Sequence, residues 1–177
     1  MASASSSPSS TRKKVVVRRL DGEVIKGYME IGGFLSPAAA EVLDRDGRLT
    51  SIPMEAIKGI YFVRDFEGDP NRQERKVFSA RPRTSGIWVR MTFKDDEVME
   101  GLLSNDLLDT DPSGFMITPP DFYSNNTRIF VPRSALGAVE VLGVISDESA
   151  RRAARRAKRP PRKPGEETRQ IQLFPPE

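Results

Sequence analysis

The sequence predicts a mainly β protein in which two tandem small barrels lie between a disordered N-terminus and a basic, partly helical C-terminal tail. One observation is an internal repeat: the pattern of residues 15–29 recurs in residues 89–103, and Gly27 corresponds to Gly101 at an offset of 74. Another is that turn-forming residues separate short runs rich in β-branched residues, a pattern typical of β-hairpins. Each repeat is therefore expected to contain four strands, a one-turn helix and a fifth strand.

The first repeat spans residues 15–63. The Asp21-Gly22 pair marks the first hairpin turn, and Gly27 within the second strand predicts a bend or a close approach of two backbones. Pro53 ends the fourth strand because proline cannot donate to a β-ladder. The expected strands are residues 15–20, 23–30, 40–43, 48–52 and 59–63, with a 3₁₀ turn at residues 54–57. That order of elements is found in SH3-like and Sm-like small barrels.

The second repeat, residues 87–145, follows a linker of residues 64–86 that is rich in charge, proline and glycine. The pair Val77-Phe78 is the linker's apolar anchor, so we expect the linker to wrap over the body. Five extra residues fall within the second repeat, in the loop of residues 119–126, after a strand at residues 115–118. Because one repeat alone buries little apolar surface, the two are expected to share a core or a tight interface.

Composition narrows the functional classes. The 177 residues include no Cys and no His, which removes disulfides, thiolate metal sites, cysteine nucleophiles and the usual general base. We therefore expect no enzyme, cofactor or metal site. No run of eighteen apolar residues is present, and residues 1–14 lack the apolar stretch of a secretory signal. These features favour a cytoplasmic protein without a membrane span.

Charge is distributed unevenly along the chain. Residues 15–150 carry 16 Lys and Arg against 22 Asp and Glu, a net charge of −6. Residues 1–14 carry +3 and residues 151–177 carry +6, which gives +3 for the whole chain. A polyanion is therefore attracted to the tail and weakly repelled by the body.

The tail, residues 146–177, begins with a predicted basic helix. Alanines recur at helical spacing from Ala150 to Ala157, and Pro160-Pro161 stops the helix. Its basic residues are candidates for nucleic-acid contacts, although a membrane surface or no ligand at all are alternatives. These candidates are Arg151, Arg152, Arg155, Arg156, Lys158 and Arg159.

A second candidate region is a recognition loop in the second repeat. Its members are Phe122, Tyr123, Asn125, Asn126 and Arg128. The aromatic rings are suited to stacking on a base or gripping a peptide. The alternative is a hairpin turn in which asparagines adopt left-handed conformations and the rings pack onto the barrel.

Residues 15–145, including the segments 122–132 and 141–144, resemble an uncharacterised bacterial family with duplicated small β-barrels. The resemblance implies the fold and brings no known activity. More distantly, residues 16–29 and 89–103 are similar to the first motif of the Sm-like fold. That similarity implies single-stranded RNA binding through an aromatic residue and an asparagine, for which the Asp-x-x-x-Asn spacing of residues 121–125 is the counterpart.

The end of the tail contains a further local resemblance. Gln170-Ile-Gln-Leu173-Phe174 resembles the pentapeptide that binds the bacterial sliding clamp. The resemblance implies that Leu173 and Phe174 fill an apolar pocket while Gln170 forms hydrogen bonds at its rim.

The leading hypothesis is a non-enzymatic interaction module, whose barrels bind protein or each other and whose basic tail engages nucleic acid. One alternative is an accessory DNA replication or repair factor tethered to the sliding clamp through the tail. Another is an Sm-like RNA-binding protein. A homo-oligomer is left open.

Overall fold

A computed structural model describes residues 12–30, 38–68, 72–106, 111–121 and 123–146. The described residues form ten strands and two one-turn 3₁₀ helices, so the prediction of a mainly β protein is confirmed. The chain divides into two compact units, Met1–Ser146 and Asp147–Glu177, and every described residue belongs to the first. No helix in this described part has the length and hydrophobicity needed to cross a bilayer. The predicted tail helix and residues 1–11 lie outside the described residues.

The first five strands form one antiparallel block in the order β4-β3-β2-β1-β5. They are β1 (Arg12–Arg19), β2 (Val24–Glu30), β3 (Ala39–Asp44), β4 (Leu49–Pro53) and β5 (Ile57–Val63), with a one-turn helix at Met54–Ala56 between the last two. β1 begins at Arg12, whereas the sequence assigned residues 12–14 to the N-terminal tail. The strand starts earlier because Arg12 and Lys14 pair with Glu30 and Tyr28 of β2.

The second five strands repeat this order of elements. They are β6 (Gly86–Phe93), β7 (Val98–Leu103), β8 (Gly114–Ile117), β9 (Asn126–Pro132) and β10 (Leu136–Ile145), with a one-turn helix at Arg133–Ala135 between the last two. β10, β6 and β7 form a separate three-stranded sheet, in that order. An isolated bridge between Leu102 and Thr118 links β7 to the end of β8.

The two repeats have matching strand registers. Val15 lies opposite Gly27 in the first repeat, and Val89 lies opposite Gly101 in the second, at the same offset of 74. The fifth strands match as well, because β5 pairs with β1 and β10 pairs with β6 in equivalent registers. Residue-by-residue equivalence between the repeats therefore extends to the fifth strands.

Gly27 and Gly101 occupy the places where the second strand of each repeat passes closest to the third. A Cβ atom at Gly27 would lie 2.6 Å from Val42 Cγ1, and one at Gly101 would lie 2.8 Å from Ile117 Cβ. Real Cβ atoms do not approach other atoms this closely, so only glycine fits at either position. An added Cβ at Gly27 would also overlap the backbone carbonyl of Leu43, which confirms a close backbone approach, one of the two alternatives predicted there. The atoms nearest to Gly101 belong to the Ile117 side chain.

Strand pairing joins the two repeats. β5 of the first repeat pairs with β9 of the second, with Ile60 opposite Phe130 and Tyr61 opposite Ile129. β9 and β8 thereby extend the first block into a seven-stranded sheet, in the order β4-β3-β2-β1-β5-β9-β8. Phe130 packs in the core cluster of the first repeat, and Tyr61 packs in that of the second. The expected tight interface between repeats is present, and it includes an exchange of core side chains.

The segment between the repeats lies along the body, as expected, but Val77 is not an anchor. Glu100 N–H donates to the Lys76 carbonyl at 2.7 Å, and Phe78 N–H donates to the Glu100 carboxylate at 3.0 Å. These bonds hold the segment, which bends at residues 76–77, against β7. Phe78 packs edge-to-face on Trp88, while Val77 remains 47% exposed.

Candidate functional site

A groove of about 780 Å³ lies where β1 and β5 of the first repeat meet β9 of the second. The inter-repeat segment forms one wall, and the loop before β9 forms another. The floor is mostly apolar because alternate residues of these strands face it. Its floor side chains are Val16, Tyr61, Val63 and Ile129 from these strands, together with Met99 from β7.

Tyr61 is the largest side chain of the floor and is only 6% exposed. Burial raises the pKa of its phenol, an effect that the nearby Arg18 cation partly opposes. The Arg18 guanidinium lies 4.9 Å from the centroid of the Tyr61 ring. At the floor a neutral aromatic ring therefore lies beneath a cation, and little of the ring itself is exposed.

Four charged side chains form an ion-pair network at one end of the groove, and two of them, Lys76 and Glu97, line it. The Lys58 ammonium lies 2.6 Å from a Glu97 carboxylate oxygen and also contacts Asp95, while Lys76 lies 2.9 Å from the other Glu97 oxygen. Burial by itself would raise the pKa of Glu97, but hydrogen bonds from Lys58 and Lys76 outweigh it, and the pKa is lowered. The pKa of Lys58 is raised, because its bonds to Asp95 and Glu97 outweigh burial. Both groups are charged at neutral pH.

The loop before β9 and the first residue of β9 form hydrogen bonds to the inter-repeat segment through side-chain amides and a hydroxyl. Asn125 Nδ2 donates to the Asp65 carbonyl at 2.7 Å, and Asp65 N–H donates to Asn125 Oδ1 at 2.9 Å. Ser124 Oγ donates to Glu74 at 2.6 Å, and Asn126 Nδ2 donates to the same carboxylate. This loop therefore holds the inter-repeat segment, which forms the other wall of the groove, in place.

A second ion pair closes the same loop. Arg72 binds both oxygens of Asp121, at 2.7 and 2.9 Å. The hydrogen bond from Arg72 is the main reason that the pKa of Asp121 is lowered, and the Tyr123 N–H also donates to this carboxylate. The loop is therefore bonded to the inter-repeat segment through Asp121 as well as through Ser124 and Asn125.

The structure separates the members of the predicted recognition loop. Asn125 and Asn126 line the groove, but their side chains are occupied in holding the inter-repeat segment. Tyr123 stands at the mouth of the groove and is 82% exposed. Arg128 lies apart from the groove on β9, opposite Phe62 of β5. Phe122 lies outside the described residues.

Glu100 is a buried charge whose role the sequence does not reveal. It is 3% exposed and accepts hydrogen bonds from Phe78 N–H at 3.0 Å, Trp88 Nε1 at 3.2 Å and Arg90 Nη2 at 2.9 Å. Although burial would raise its pKa, these donors outweigh the effect and the pKa is lowered. Glu100 fixes the inter-repeat segment against the second repeat.

The remaining groove residues were missed because each looks ordinary in isolation. Tyr61 reads as a core residue of a final strand, and Arg72, Glu74 and Lys76 read as solvated charges of a linker. Two features of the sequence taken together were the available signal: the lengthened loop before β9 and the polar linker. The loop that holds the five additional residues provides the polar groups that bind the linker. Only their joint position makes a groove.

Within the described residues, no group of three or more carboxylates is placed to hold a metal ion. The candidate nucleic-acid residues from Arg151 to Arg159, and the clamp-like residues Gln170, Leu173 and Phe174, lie outside the described residues. The groove is thus the site that the described structure offers.

Comparison with known proteins gives a family without an assigned activity. Searches of curated proteins and of solved structures find no match. A family model described as a family of unknown function, DUF6982, matches residues 11–143, which include both repeats and the segment between them. The chain therefore belongs to the DUF6982 family.

Proposed function

We propose that the protein is a protein-interaction module whose groove binds an extended segment of a partner protein. The observation that carries the proposal is the groove itself: about 780 Å³, with an apolar floor, walls held by ion pairs and amides, and Tyr123 exposed at its mouth. A concave apolar site with a few placed polar groups is the usual form of a binding site. Tyrosine at such a mouth provides contact area with few rotatable bonds.

The charges around the groove favour a peptide over a nucleic acid. Five basic and four acidic side chains line it, so it presents no single-sign surface to a polyanion. Asp65, Glu67 and Glu74 would lie next to bound phosphates. An extended peptide of mixed charge, with one large apolar side chain on the floor beside Tyr61, fits this lining better than RNA.

Peptide selection tests this function. Random peptides displayed on phage are selected on the immobilised full-length protein, and enriched peptides are then titrated by fluorescence anisotropy. We expect each to contain a large apolar residue and to lose about tenfold or more in affinity for Tyr123→Ala. That substitution removes an exposed side chain and should leave the fold intact.

The matched control is Val24→Ala, which truncates a side chain that is 51% exposed and lies outside the groove lining. Equal affinity for wild type and Tyr123→Ala, or selection without enrichment, would count against the groove as the binding site. Poly-uridine RNA serves as a second ligand. Saturable RNA binding that Tyr123→Ala abolishes would favour the RNA-binding alternative.

A second candidate function rests on the tail. Gln170, Leu173 and Phe174 have the spacing of a sliding-clamp-binding pentapeptide, and they follow a basic stretch that attracts DNA. We propose as the alternative that the tail tethers the protein to the clamp during replication or repair. This role requires a cytoplasmic protein, which is part of the same proposal.

A direct titration decides the clamp proposal. A labelled peptide of residues 163–177 is titrated with purified bacterial sliding clamp and followed by fluorescence anisotropy. We expect saturable binding with a dissociation constant on the order of micromolar. The same peptide with Gln170→Ala and Phe174→Ala should not bind. A wild-type peptide that fails to bind at tens of micromolar (about 6 kcal/mol of binding free energy) would remove this candidate.

A further inference from the structure

Among the described residues, one outer strand of each repeat, β4 in the first and β10 in the second, has an edge without a partner strand. Within the body, β5 of the first repeat pairs with β9 of the second. By the repeat, β10 of the second repeat corresponds to β5, and β4 of the first repeat corresponds to β9. Among the described residues, β10 pairs only with β6 and β4 pairs only with β3. One pair of equivalent edges, β5 and β9, is therefore joined within the chain, while the other pair, β10 and β4, has no partner strand among the described residues.

We propose that the protein assembles head to tail with further copies of itself. The β4 edge of one copy pairs with the β10 edge of the next, in the register by which β9 pairs with β5. An exposed edge with unpaired N–H and C=O groups is a template for such pairing. Because the two edges differ, the contact is heterologous, and it closes into a ring or continues as a filament according to the rotation between copies.

The register of this contact follows from the repeat equivalence. Pro53 corresponds to Pro132 at an offset of 79, and the same offset relates Ile60 to Val139, which occupy equivalent positions opposite β1 and β6. In the internal junction Phe62 lies opposite Arg128. The equivalent pair between copies is Val141 with Leu49.

Exposure supports that pairing independently of the repeat. Leu49 and Val141 are each 64% exposed, the highest values among the exposed aliphatic side chains of the described residues. The proposed register places these two side chains directly opposite each other, at the distance at which cross-strand apolar pairs stabilise a sheet. Val139, 38% exposed, is covered by the same contact, whereas its counterpart Ile60 is fully buried by β9.

Charge is also complementary at these edges. Glu140 lies between the two exposed valines of β10 and would face Thr50, next to Arg48 just before β4. Arg48 corresponds to Thr127, which lies at the register shift of the internal junction, so the arginine would lie beside the end of the contact on the side of this glutamate. Ser51 replaces Phe130, however, so the contact between copies buries less apolar surface than the internal junction. Assembly is therefore expected to depend on concentration.

The test is sedimentation velocity on the full-length chain from about 1 to about 100 μM, the range in which a contact of this size is expected to dissociate. The wild-type sedimentation coefficient should rise with concentration. Leu49→Lys and Val141→Lys should each prevent higher assemblies. Val24→Lys, the same type of change at an exposed site on β2, should leave assembly unaffected.

Mixing the two edge variants distinguishes a head-to-tail contact from a symmetric one. A Leu49→Lys copy retains its β10 edge, and a Val141→Lys copy retains its β4 edge, so the mixture should form a 1:1 dimer and nothing larger. Pairing of β10 with β10 would be blocked by Val141→Lys alone, and pairing of β4 with β4 by Leu49→Lys alone. Either result overturns the proposal.

Cysteine pairs give a readout that does not depend on the lysine variants. Because the chain has no Cys, a mixture of Leu49→Cys and Val141→Cys should form a disulfide-linked dimer under mild oxidation, and a mixture of Leu49→Cys and Val24→Cys should not. A wild-type protein that sediments as one copy throughout the range, together with no preferential cross-link, overturns the proposal.

Discussion

At the scale of single residues, two carboxylates remain ionised although Glu97 is partly buried and Glu100 is buried. Glu97 and Glu100 lie three residues apart, and each is surrounded by donors: two lysines for Glu97, and Arg90, Trp88 and a backbone N–H for Glu100. A buried carboxylate costs free energy unless such partners are present. These residues connect segments that are distant in sequence, so their charge contributes to how the repeats are joined.

The lowered pKa of Glu97 predicts an acid-dependent contribution to stability. A folded pKa below the unfolded value stabilises the protein above the unfolded pKa of about 4.3. That stability is lost as the pH falls through the folded pKa. We expect Glu97→Gln to reduce the free energy of unfolding by about 1 kcal/mol at neutral pH and to make its decline below about pH 5 shallower.

Urea unfolding at a series of pH values measures both effects. The control is Glu41→Gln, at an exposed glutamate of β3, which should retain the wild-type pH profile. The informative range lies below about pH 5, close to the ordinary glutamate pKa. If the free energy of unfolding falls equally steeply with pH there for Glu97→Gln and wild type, the ion pairs with Lys58 and Lys76 contribute nothing to stability.

At the scale of elements, the two repeats use equivalent positions for the same backbone purposes. Gly22 has a φ of +92°, and the equivalent Asp96, at the offset of 74, has a φ of +63°. Both residues complete the first hairpin turn of their repeat, and asparagine, aspartate and glycine are the residues that accept this conformation. The glycines of β2 and β7 meet a different requirement, which is the close passage of the third strand.

Gly101→Ala is expected to destabilise the protein by about 1–3 kcal/mol, because the new methyl group overlaps Ile117 and forces β7 and β8 apart. Chemical unfolding monitored by Trp88 fluorescence measures the change. Gly143→Ala is the matched control on β10, where an added Cβ has no atom within 4 Å, and it should be close to neutral. Similar free energies of unfolding for both variants would show that the strands adjust without cost.

At the scale of the whole body, the two repeats are interdependent. Phe130 completes the core of the first repeat and Tyr61 that of the second, while β5 and β9 share a ladder. A repeat of this size is marginal by itself, and the exchange of core residues gives each one apolar surface that it lacks. The groove forms at this junction, so the same packing that stabilises the repeats also creates the proposed binding site.

The sequence by itself determined the features that depend on local chemistry. Turn residues, period-two alternation and the strand-ending Pro53 were sufficient to predict the β class and the order of elements in each repeat. A glycine within a strand predicted a bend or a close backbone approach at Gly27. Tyr123 was a candidate for a recognition loop because an aromatic residue in a polar loop is visible without any tertiary information. The structure places this residue among those that line the groove, and its role in recognition stays a prediction.

Only the tertiary structure decided how the repeats meet. Every strand edge presents the same N–H and C=O groups, so alternation along β5 does not specify β9 as its neighbour. The roles of Asn125, Glu74 and Arg72 likewise depend on contacts between residues 49 to 60 positions apart. The early start of β1 depends on its pairing with β2. These outcomes follow from which surfaces bury each other, a property of the folded chain and not of any local pattern.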